Sequence, residues 1–192
     1  AVNPENGDLL DDAIRLVGAA TGTTERAAAL LAKSDALARK AQAFAVAADG
    51  PAKRVYLAGN SALLSTAGPA MYQSTLLSAV GANNVAAELK DNYWAEISHE
   101  QLLAWQPDLI VLVPEAIYSV EDVLADPALA DLAAVKNQQV YQMPKDYEAW
   151  DSPVPSGVLG QLYLASILYP DQYSQADFEQ DVVDFYEEFY GF

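Results

Sequence analysis

The chain of 192 residues contains no cysteine and a single histidine. Without a thiol it forms no disulfide and no thiolate metal site, and cysteine catalysis is excluded. His99 has no second imidazole with which to share a metal ion. We therefore expect no metal centre in the protein and no resident cofactor.

Positive charge is also scarce. The chain carries 10 Lys and Arg against 27 Asp and Glu, which gives a formal net charge of −17. A surface of this sign repels phosphate backbones and anionic lipid, so we expect neither nucleic-acid binding nor electrostatic attachment to a membrane. No Lys or Arg follows Lys145, while acids crowd the last segment. We interpret that segment as a solvated helix face.

Enzyme motifs are few. The chain has no Gly-rich phosphate loop of standard spacing and no Gly-x-Ser-x-Gly elbow. Paired carboxylates can hydrolyse glycosidic bonds, but 27 acids offer many chance pairs and none is marked out by its context. We therefore expect a protein that is not an enzyme.

The first 51 residues predict two helices. Residues 8–17 carry apolar side chains at spacings of three and four, and Gly18 to Gly22 break the pattern. A longer helix is predicted from Thr23 to Ala48, and at roughly 1.5 Å per residue it spans about 39 Å, enough to join two lobes. Asp49-Gly50-Pro51 ends it, because Pro disfavours helix at the residue before it and Gly accepts left-handed dihedrals.

Beyond this break, short strands alternate with helices. Strands are predicted at Arg54–Ala58, Asp108–Val113 and Gln139–Met143, helices at Tyr72–Val80, Pro155–Leu168 and Ala176–Tyr190, and a loop at Gly59–Gly68. The near-continuous apolar character of the second strand is typical of a strand buried on both faces of a parallel sheet. The fold class is therefore α/β, a three-layer α/β/α lobe with a mostly parallel sheet preceded by a long helix.

One stretch of the chain combines a loop, a capped helix and a buried strand in fixed order. It comprises Asn83-Asn84-Val85-Ala86 and, further on, Ile97 to Val113. Ser98 and Gln101 form a capping-box pattern, and Glu100 in the first turn suits the helix dipole. This order resembles the second lobe of a bacterial ABC-importer solute-binding protein. The resembled cluster joins its two lobes by one long helix and captures vitamin B12, ferric siderophores, haem, or molybdate and tungstate.

The resemblance covers the whole chain but only half of the family's protein. It implies that residues 1–22 are a remnant of the N-terminal lobe, 23–50 the interlobe helix and 51–192 the C-terminal lobe. We expect the rest of the N-terminal lobe to be missing from this chain. Ala1 to Gly7 shows no charged stretch followed by an apolar run, so we expect the export signal outside it too. The implied location is extracytoplasmic, periplasmic or lipoprotein-anchored, and we expect a monomer.

Glu100 is the expected docking residue. In the resembled family the glutamate of this motif, one per lobe, protrudes and pairs with arginines of the membrane permease. Carried onto this chain, that residue is Glu100. A charge at the rim of an interface mainly governs encounter and register. A purely local role at the helix end remains an open alternative.

Candidate ligand contacts lie in loops at strand ends, where open α/β sheets bind their ligands. Vitamin B12-binding relatives carry a tryptophan facing the ligand six residues before the docking glutamate, which here is Trp94. The loop after the first strand offers backbone N–H groups for an anion. The candidates from the loops after the first and third strands are Ser65, Thr66, Tyr72, Tyr147, Trp150 and Asp151. Tyr147 and Trp150 fit the edge of the core as well as they fit a cleft.

Charge bears on the class of ligand. The last arginine is Arg54, so a guanidinium clamp for a ferric siderophore or an oxyanion would lie in the missing lobe. This lobe would then use main-chain donors, hydroxyls and Lys145. That slightly favours haem or a corrinoid over a hydroxamate chelate and leaves oxyanions open.

The expected function is the substrate-binding component of an ABC importer. Its ligand would be a metal chelate or oxyanion containing iron, cobalt, molybdenum or tungsten, held between two lobes and delivered to the permease. Two alternatives remain open at the level of sequence. One is a ligand-sensing surface receptor of the same fold without a permease, and the other is an α/β enzyme with a cofactor in the cleft.

Overall fold

The computed structural model describes residues 6–90 and 93–191 of the chain. The first helix, α1, spans Gly7–Thr21, and the second, α2, spans the 24 residues Thr24–Ala47. The long helix predicted from Thr23 to Ala48 is thereby confirmed to within a residue at each end. Ala48 is extended and Gly50 has a φ of 105°, so the chain leaves the helix where the Asp-Gly-Pro break is predicted.

Gly18 corrects the predicted end of the first helix. It lies inside α1, which continues to Thr21 and ends at Gly22 with a φ of 73°. A Cβ at Gly18 would stand 2.6 Å from the Cβ of Ala27 in α2. The glycine therefore serves the close approach of two helices rather than a break between them.

In the part of the chain that the structure describes, a six-stranded sheet forms the centre of the fold. Its strands are β1 Arg54–Ala58, β2 Ser65–Ala67, β3 Asn83–Asn84, β4 Trp94–Glu96, β5 Leu109–Leu112 and β6 Val140–Gln142. The order is β4-β2-β1-β5-β6, and β3 pairs with the first two residues of β1. β1, β5 and β6 run parallel, as does β3 beside β1, which confirms the predicted parallel core.

The two antiparallel strands were not expected. β2 lies in the segment predicted as a loop, and β4 joins the sheet through it. Each has three residues, too few to show an alternating pattern. β2 is held by the end of β1, where Ala58 pairs with Thr66. β2 also pairs with β4, where Ala67 lies opposite Trp94, and local sequence does not encode a contact between segments this far apart in the chain.

Six more α-helices follow in the described residues. They are α3 Tyr72–Ala79, α4 His99–Trp105, α5 Val120–Ala125, α6 Ala133–Lys136, α7 Val158–Leu168 and α8 Gln175–Phe189, with 3-10 turns at Val85–Glu88 and Pro155–Gly157. α5 and α6, of six and four residues, are additional to the predicted helices. Ser98 caps α4, accepting a hydrogen bond from the Gln101 N–H at 3.2 Å, which confirms the N-cap half of the predicted capping box. A full capping box with both reciprocal bonds forms at Ser119 and Asp122.

Two apolar cores cover the two faces of the sheet. Leu57 of β1 packs in a core built with α2, α3, α7 and α8. Tyr56, the next residue on the same strand, faces a second core built with α4, α5 and α6. Adjacent strand residues point to opposite faces, so the sheet is the middle of three layers. The predicted three-layer α/β/α class is confirmed, and α2 belongs to one outer layer through Leu37 and Ala41.

Among residues 6–90 and 93–191, no helix combines the length and the apolar character needed to cross a bilayer.

Candidate functional site

Three loops meet at one edge of the sheet. Since β1, β5 and β6 are parallel, their carboxyl ends share an edge. The loops that leave it are the β1 loop (residues 59–64), the β5 loop (113–119) and the β6 loop (143–154). We call this surface the carboxyl edge.

Hydrogen bonds and one ion pair join these loops. The Ile117 N–H donates to the carbonyl of Asn60 at 2.9 Å, and the Tyr118 hydroxyl donates to the carbonyl of Gly59 at 2.6 Å. On the other side, Lys145 Nζ lies 3.0 Å from Glu115 Oε1. The carboxyl edge is therefore one connected surface.

Trp94 extends this surface from β4. A Cβ built at Gly59 would come within 3.1 Å of Cζ3 of the Trp94 ring, so the indole lies directly against the backbone that leaves β1. Trp94 is 40% exposed and Ile117 is 82% exposed. The Trp94 ring thus contacts the start of the β1 loop at Gly59, and the backbone of Ile117 contacts it at Asn60.

Tyr147 adds a second aromatic side chain in the β6 loop. It is 64% exposed, and its ring packs edge-on against Tyr186 with centroids 5.6 Å apart. Single exposed apolar residues are ordinary on any protein surface. Trp94, Ile117 and Tyr147 all belong to one ligand-accessible edge, however, which makes them candidates for contact with an apolar solute.

Glu100 lies close to the same edge. The Ile97 N–H donates to the carbonyl of Leu64 at 2.9 Å and so ties the entry of α4 to the end of the β1 loop. Glu100 is fully exposed in the first turn of α4. Hydrogen bonds from its own backbone N–H and from the Ser98 hydroxyl lower the pKa of its carboxyl, so the exposed side chain carries a negative charge. This geometry fits docking and helix capping alike.

Ser65 and Thr66 lie inside the sheet. Thr66 is fully buried, and its hydroxyl donates to the carbonyl of Leu57 at 2.7 Å. Ser65 is 5% exposed, and its carbonyl accepts the Gly59 N–H at 2.7 Å. The structure therefore corrects their placement in an open loop, because strand pairing draws both residues into β2.

Trp150 belongs to the core. It is 3% exposed, and its indole N–H donates to the Tyr186 hydroxyl at 3.1 Å. Its ring meets Phe178 of α8 edge-on at 6.0 Å. Of the two interpretations that the sequence permits for Trp150, the structure supports the core. Its contacts fix the base of the β6 loop on which Tyr147 is exposed.

At the junction of the β6 loop with α3, Asp151 is buried and Tyr72 is partly buried. Asp151 Oδ2 accepts a hydrogen bond from Gln73 Nε2 at 3.2 Å, and burial raises the pKa of its carboxyl. Burial also raises the pKa of Tyr72 to about 12, with Asp151 nearby as the second cause. Gly157 admits the Tyr72 hydroxyl, which would lie 2.7 Å from a Cβ there. The hydrogen bond between Asp151 and Gln73 therefore holds the β6 loop against α3.

Sequence reasoning did not single out Glu115, Ile117 and Tyr118. Each follows β5 within six residues of its last residue, Leu112. That position at the carboxyl end of a buried strand was the available signal. In the described part of the chain, no three His, Asp or Glu side chains converge to hold a metal ion.

An apolar cavity lies away from the carboxyl edge. About 400 Å³ in volume, it is lined by apolar side chains of α1 and α2 together with Pro155, Phe189 and Tyr190. Arg26 lies at this cavity and donates to the carbonyl of Phe189. The carboxyl edge, by contrast, carries exposed side chains such as Trp94, Ile117 and Tyr147, as expected for one wall of a cleft.

Comparison with known proteins places these features in context. The sequence model of a family described as periplasmic binding protein matches residues 1–147. The molybdate-binding protein MolA of Haemophilus influenzae is 33% identical over 138 residues, which are 71% of this chain and 38% of MolA.

Solved structures share the fold over nearly the whole chain. MolA bound to molybdate matches with a TM-score of 0.81 and 26% identity, over 97% of this chain and 57% of MolA. An ABC-transporter solute-binding protein of Sulfurospirillum deleyianum matches with a TM-score of 0.83 and 27% identity, over 100% of this chain and 60% of its own. A periplasmic solute-binding protein of Veillonella parvula, at 23% identity, a TM-score of 0.86 and coverages of 100% and 59%, shows the fold alone. The chain thus spans less than two thirds of the length of each relative.

Proposed function

Because the chain belongs to the periplasmic binding protein family, we propose that it forms the linking helix and C-terminal lobe of a solute-binding protein that serves an ABC importer. The observation that carries this proposal is the carboxyl edge, where the exposed residues Trp94 and Ile117 contact the start of the β1 loop at Gly59 and Asn60. Proteins of this family are binding components of transport systems, and we propose that this chain likewise has no catalytic activity and acts outside the cytoplasm.

The division into lobes follows from the same proposal. Residues 1–22 would belong to the N-terminal lobe, 23–50 to the interlobe helix and 51–192 to the C-terminal lobe. α2 supports this assignment because it is long, about 36 Å at roughly 1.5 Å per residue. It is also fixed to the C-terminal lobe by buried Leu37 and Ala41. A helix anchored in this way limits the relative motion of two lobes to a small hinge or twist.

In the proposed cycle, a metal chelate or an oxyanion bridges the carboxyl edge and the other lobe. The protein brings no resident cofactor, and any iron, cobalt, molybdenum or tungsten arrives with the ligand. Trp94 and Tyr147 offer aromatic faces to it. The liganded monomer then docks on the permease through one glutamate per lobe, here Glu100, whose exposure and charge suit a contact with arginine.

A titration of the complete protein tests the proposal. Molybdate, tungstate, haem, cyanocobalamin and a set of ferric siderophores are added separately, and thermal shift and calorimetry measure binding. We expect one class of ligand to stabilise the protein and Trp94→Ala to weaken that binding at least about tenfold. Tyr93→Ala, which removes the neighbouring exposed ring, is the matched control. Absence of binding by every probe to the folded protein would contradict the proposal.

A further inference from the structure

The three loops of the carboxyl edge contain a single Lys or Arg, namely Lys145. Its ammonium lies 3.0 Å from the Glu115 carboxylate, across the gap between the β6 and β5 loops. The two side chains are 52% and 60% exposed, so both reach the surface that a ligand would meet. Lys145, the cation of these loops that could bind an anionic ligand, is thus already paired with Glu115.

The remaining charges of these loops are negative. Besides Glu115, the β6 loop carries Asp146, Glu148 and Asp151, so four carboxylates accompany one ammonium. Glu148 is oriented inward, where its Oε2 accepts hydrogen bonds from Ser156 and from the Tyr190 hydroxyl. Asp151 is buried, and burial raises the pKa of its carboxyl. Glu115 and Asp146 are therefore the exposed negative charges nearest to Lys145 along these loops.

The edge also exposes large apolar side chains. Trp94 and Ile117 lie beside Gly59 and Asn60, and Tyr147 is two residues beyond Lys145. A bare oxyanion gains nothing from contact with an indole or a sec-butyl surface and loses its hydration on approach. A ligand with a large apolar exterior gains from both contacts.

We propose that Glu115 is a specificity-determining residue that selects the charge class of the ligand. By holding Lys145, it makes this lobe favour a neutral or cationic, largely apolar metal chelate over a dianionic oxyanion. The inference rests on the proposed function, because it assumes that the carboxyl edge contacts the solute. It also distinguishes this chain from MolA, the relative whose name gives molybdate as its ligand.

Removing the charge of Glu115 would change two things at once. The Lys145 ammonium would become available to an anion, and the carboxylate that repels the anion would be gone. A neutral chelate would meet nearly the same apolar surface as before. Discrimination arises here from a repulsive element as much as from an attractive one.

Calorimetric titration of the complete protein tests the inference. The probes are molybdate, cyanocobalamin as a neutral chelate and ferrioxamine B as a cationic one. The variants are Glu115→Gln, Lys145→Gln, the double variant, and Asp146→Asn as a control that removes an equal charge beside the pair. Since all three positions are exposed, equal melting temperatures are expected and confirm folding.

We expect the wild-type protein to bind a chelate and to bind molybdate at least about a hundredfold more weakly. Glu115→Gln should raise molybdate affinity about tenfold or more and leave chelate affinity within about threefold. Lys145→Gln in the same chain should abolish that gain, and Asp146→Asn should give a much smaller one.

Three results would overturn the inference while leaving the proposed function intact. They are tight molybdate binding by the wild-type protein, no gain of molybdate affinity in Glu115→Gln, and an equal gain in Asp146→Asn. A folded wild-type protein that binds none of the three probes and no other solute in the wider set would instead refute the proposed function, and the inference with it.

Discussion

The indole of Trp94 rests on the backbone of Gly59, where any Cβ would come within 3.1 Å of the ring. The same Cβ would meet the carbonyl oxygen of Ser65 at 3.0 Å, so it has little room on either side. β4 and the end of β1 are not neighbours in the sheet order, and this contact joins them across β2. The orientation of the Trp94 ring thus depends on the absence of a Cβ at residue 59.

Gly59→Ala should therefore displace the Trp94 ring. We expect ligand affinity to fall about five- to tenfold and the free energy of unfolding to fall by about 1–2 kcal/mol, because the added methyl overpacks the contact. Calorimetry and urea unfolding measure the two effects. In the Trp94→Ala background the alanine at residue 59 should cost little further affinity, and an undiminished additional loss would contradict the contact.

Truncation of Trp150 should mainly reduce the stability of the protein, whereas truncation of Trp94 should mainly reduce its ligand affinity. Trp150→Ala opens a cavity between α7, α8 and the β6 loop, so we expect the free energy of unfolding to fall by about 3–5 kcal/mol. Trp94→Ala should cost less than about 1 kcal/mol, because the ring is partly exposed, yet it should cost most of the ligand affinity. Urea denaturation of both variants measures this. Similar stability losses in the two variants would contradict the assignment.

The buried carboxyl of Asp151 should make the stability of the protein depend on pH. Because burial raises the pKa of its carboxyl in the folded state, the folded protein holds this proton to higher pH than the unfolded chain. The contribution of Asp151 to the free energy of unfolding therefore falls as pH rises from the ordinary Asp pKa of 3.8 through the pKa in the folded state. Above the folded pKa, the full cost of burying the charged carboxylate is present.

Asp151→Asn should remove this penalty, and its amide is able to donate to the buried, unpartnered Oε1 of Gln73. We expect the variant to be more stable than wild type by about 1 kcal/mol at pH 7 and the difference to shrink towards pH 3. Urea unfolding at a series of pH values measures it. A constant difference across that range would show that ionisation of Asp151 is not its cause.

The effect of a substitution at Glu100 on transport distinguishes an importer subunit from a sensor of the same fold. Glu100→Gln should reduce transport in a reconstituted permease system about tenfold and leave ligand affinity within about twofold, because the carboxylate lies on the rim and outside the loops of the carboxyl edge. Glu96→Gln, an exposed carboxylate four residues earlier, is the control. Unchanged transport in Glu100→Gln would favour a local role at the helix end, or a receptor that needs no permease.

Periodic segments were predictable, whereas short paired segments were not. The long helix α2 and the strands β1 and β5 follow from their own residues, since apolar spacing and the Asp-Gly-Pro break are local signals. β2 and β4 have three residues each and exist through their pairing with one another and with Ala58. Helix α1 continued through Gly18 because contact with Ala27 requires a small residue there.

The same difference between local patterns and contacts from distant segments explains which features of the candidate site could be predicted. Trp94 and Trp150 both lie among aromatic and polar neighbours in sequence, and only the contacts of Trp150 with Phe178 and Tyr186 bury it. Those contacts come from α8, distant in sequence, so no local pattern distinguishes the two tryptophans. The position of Lys145 was predictable, but its pairing with Glu115 across two loops was not.

The central claim is that the solute binds at the carboxyl edge. Hydrogen–deuterium exchange of the complete protein, with and without the ligand that the titration identifies, tests it most directly. The account predicts slower exchange in residues 59–64, 113–119 and 143–149 and around Trp94, with little change at the cavity between α1 and α2. Protection confined to that cavity, or none in the three loops, would contradict the account.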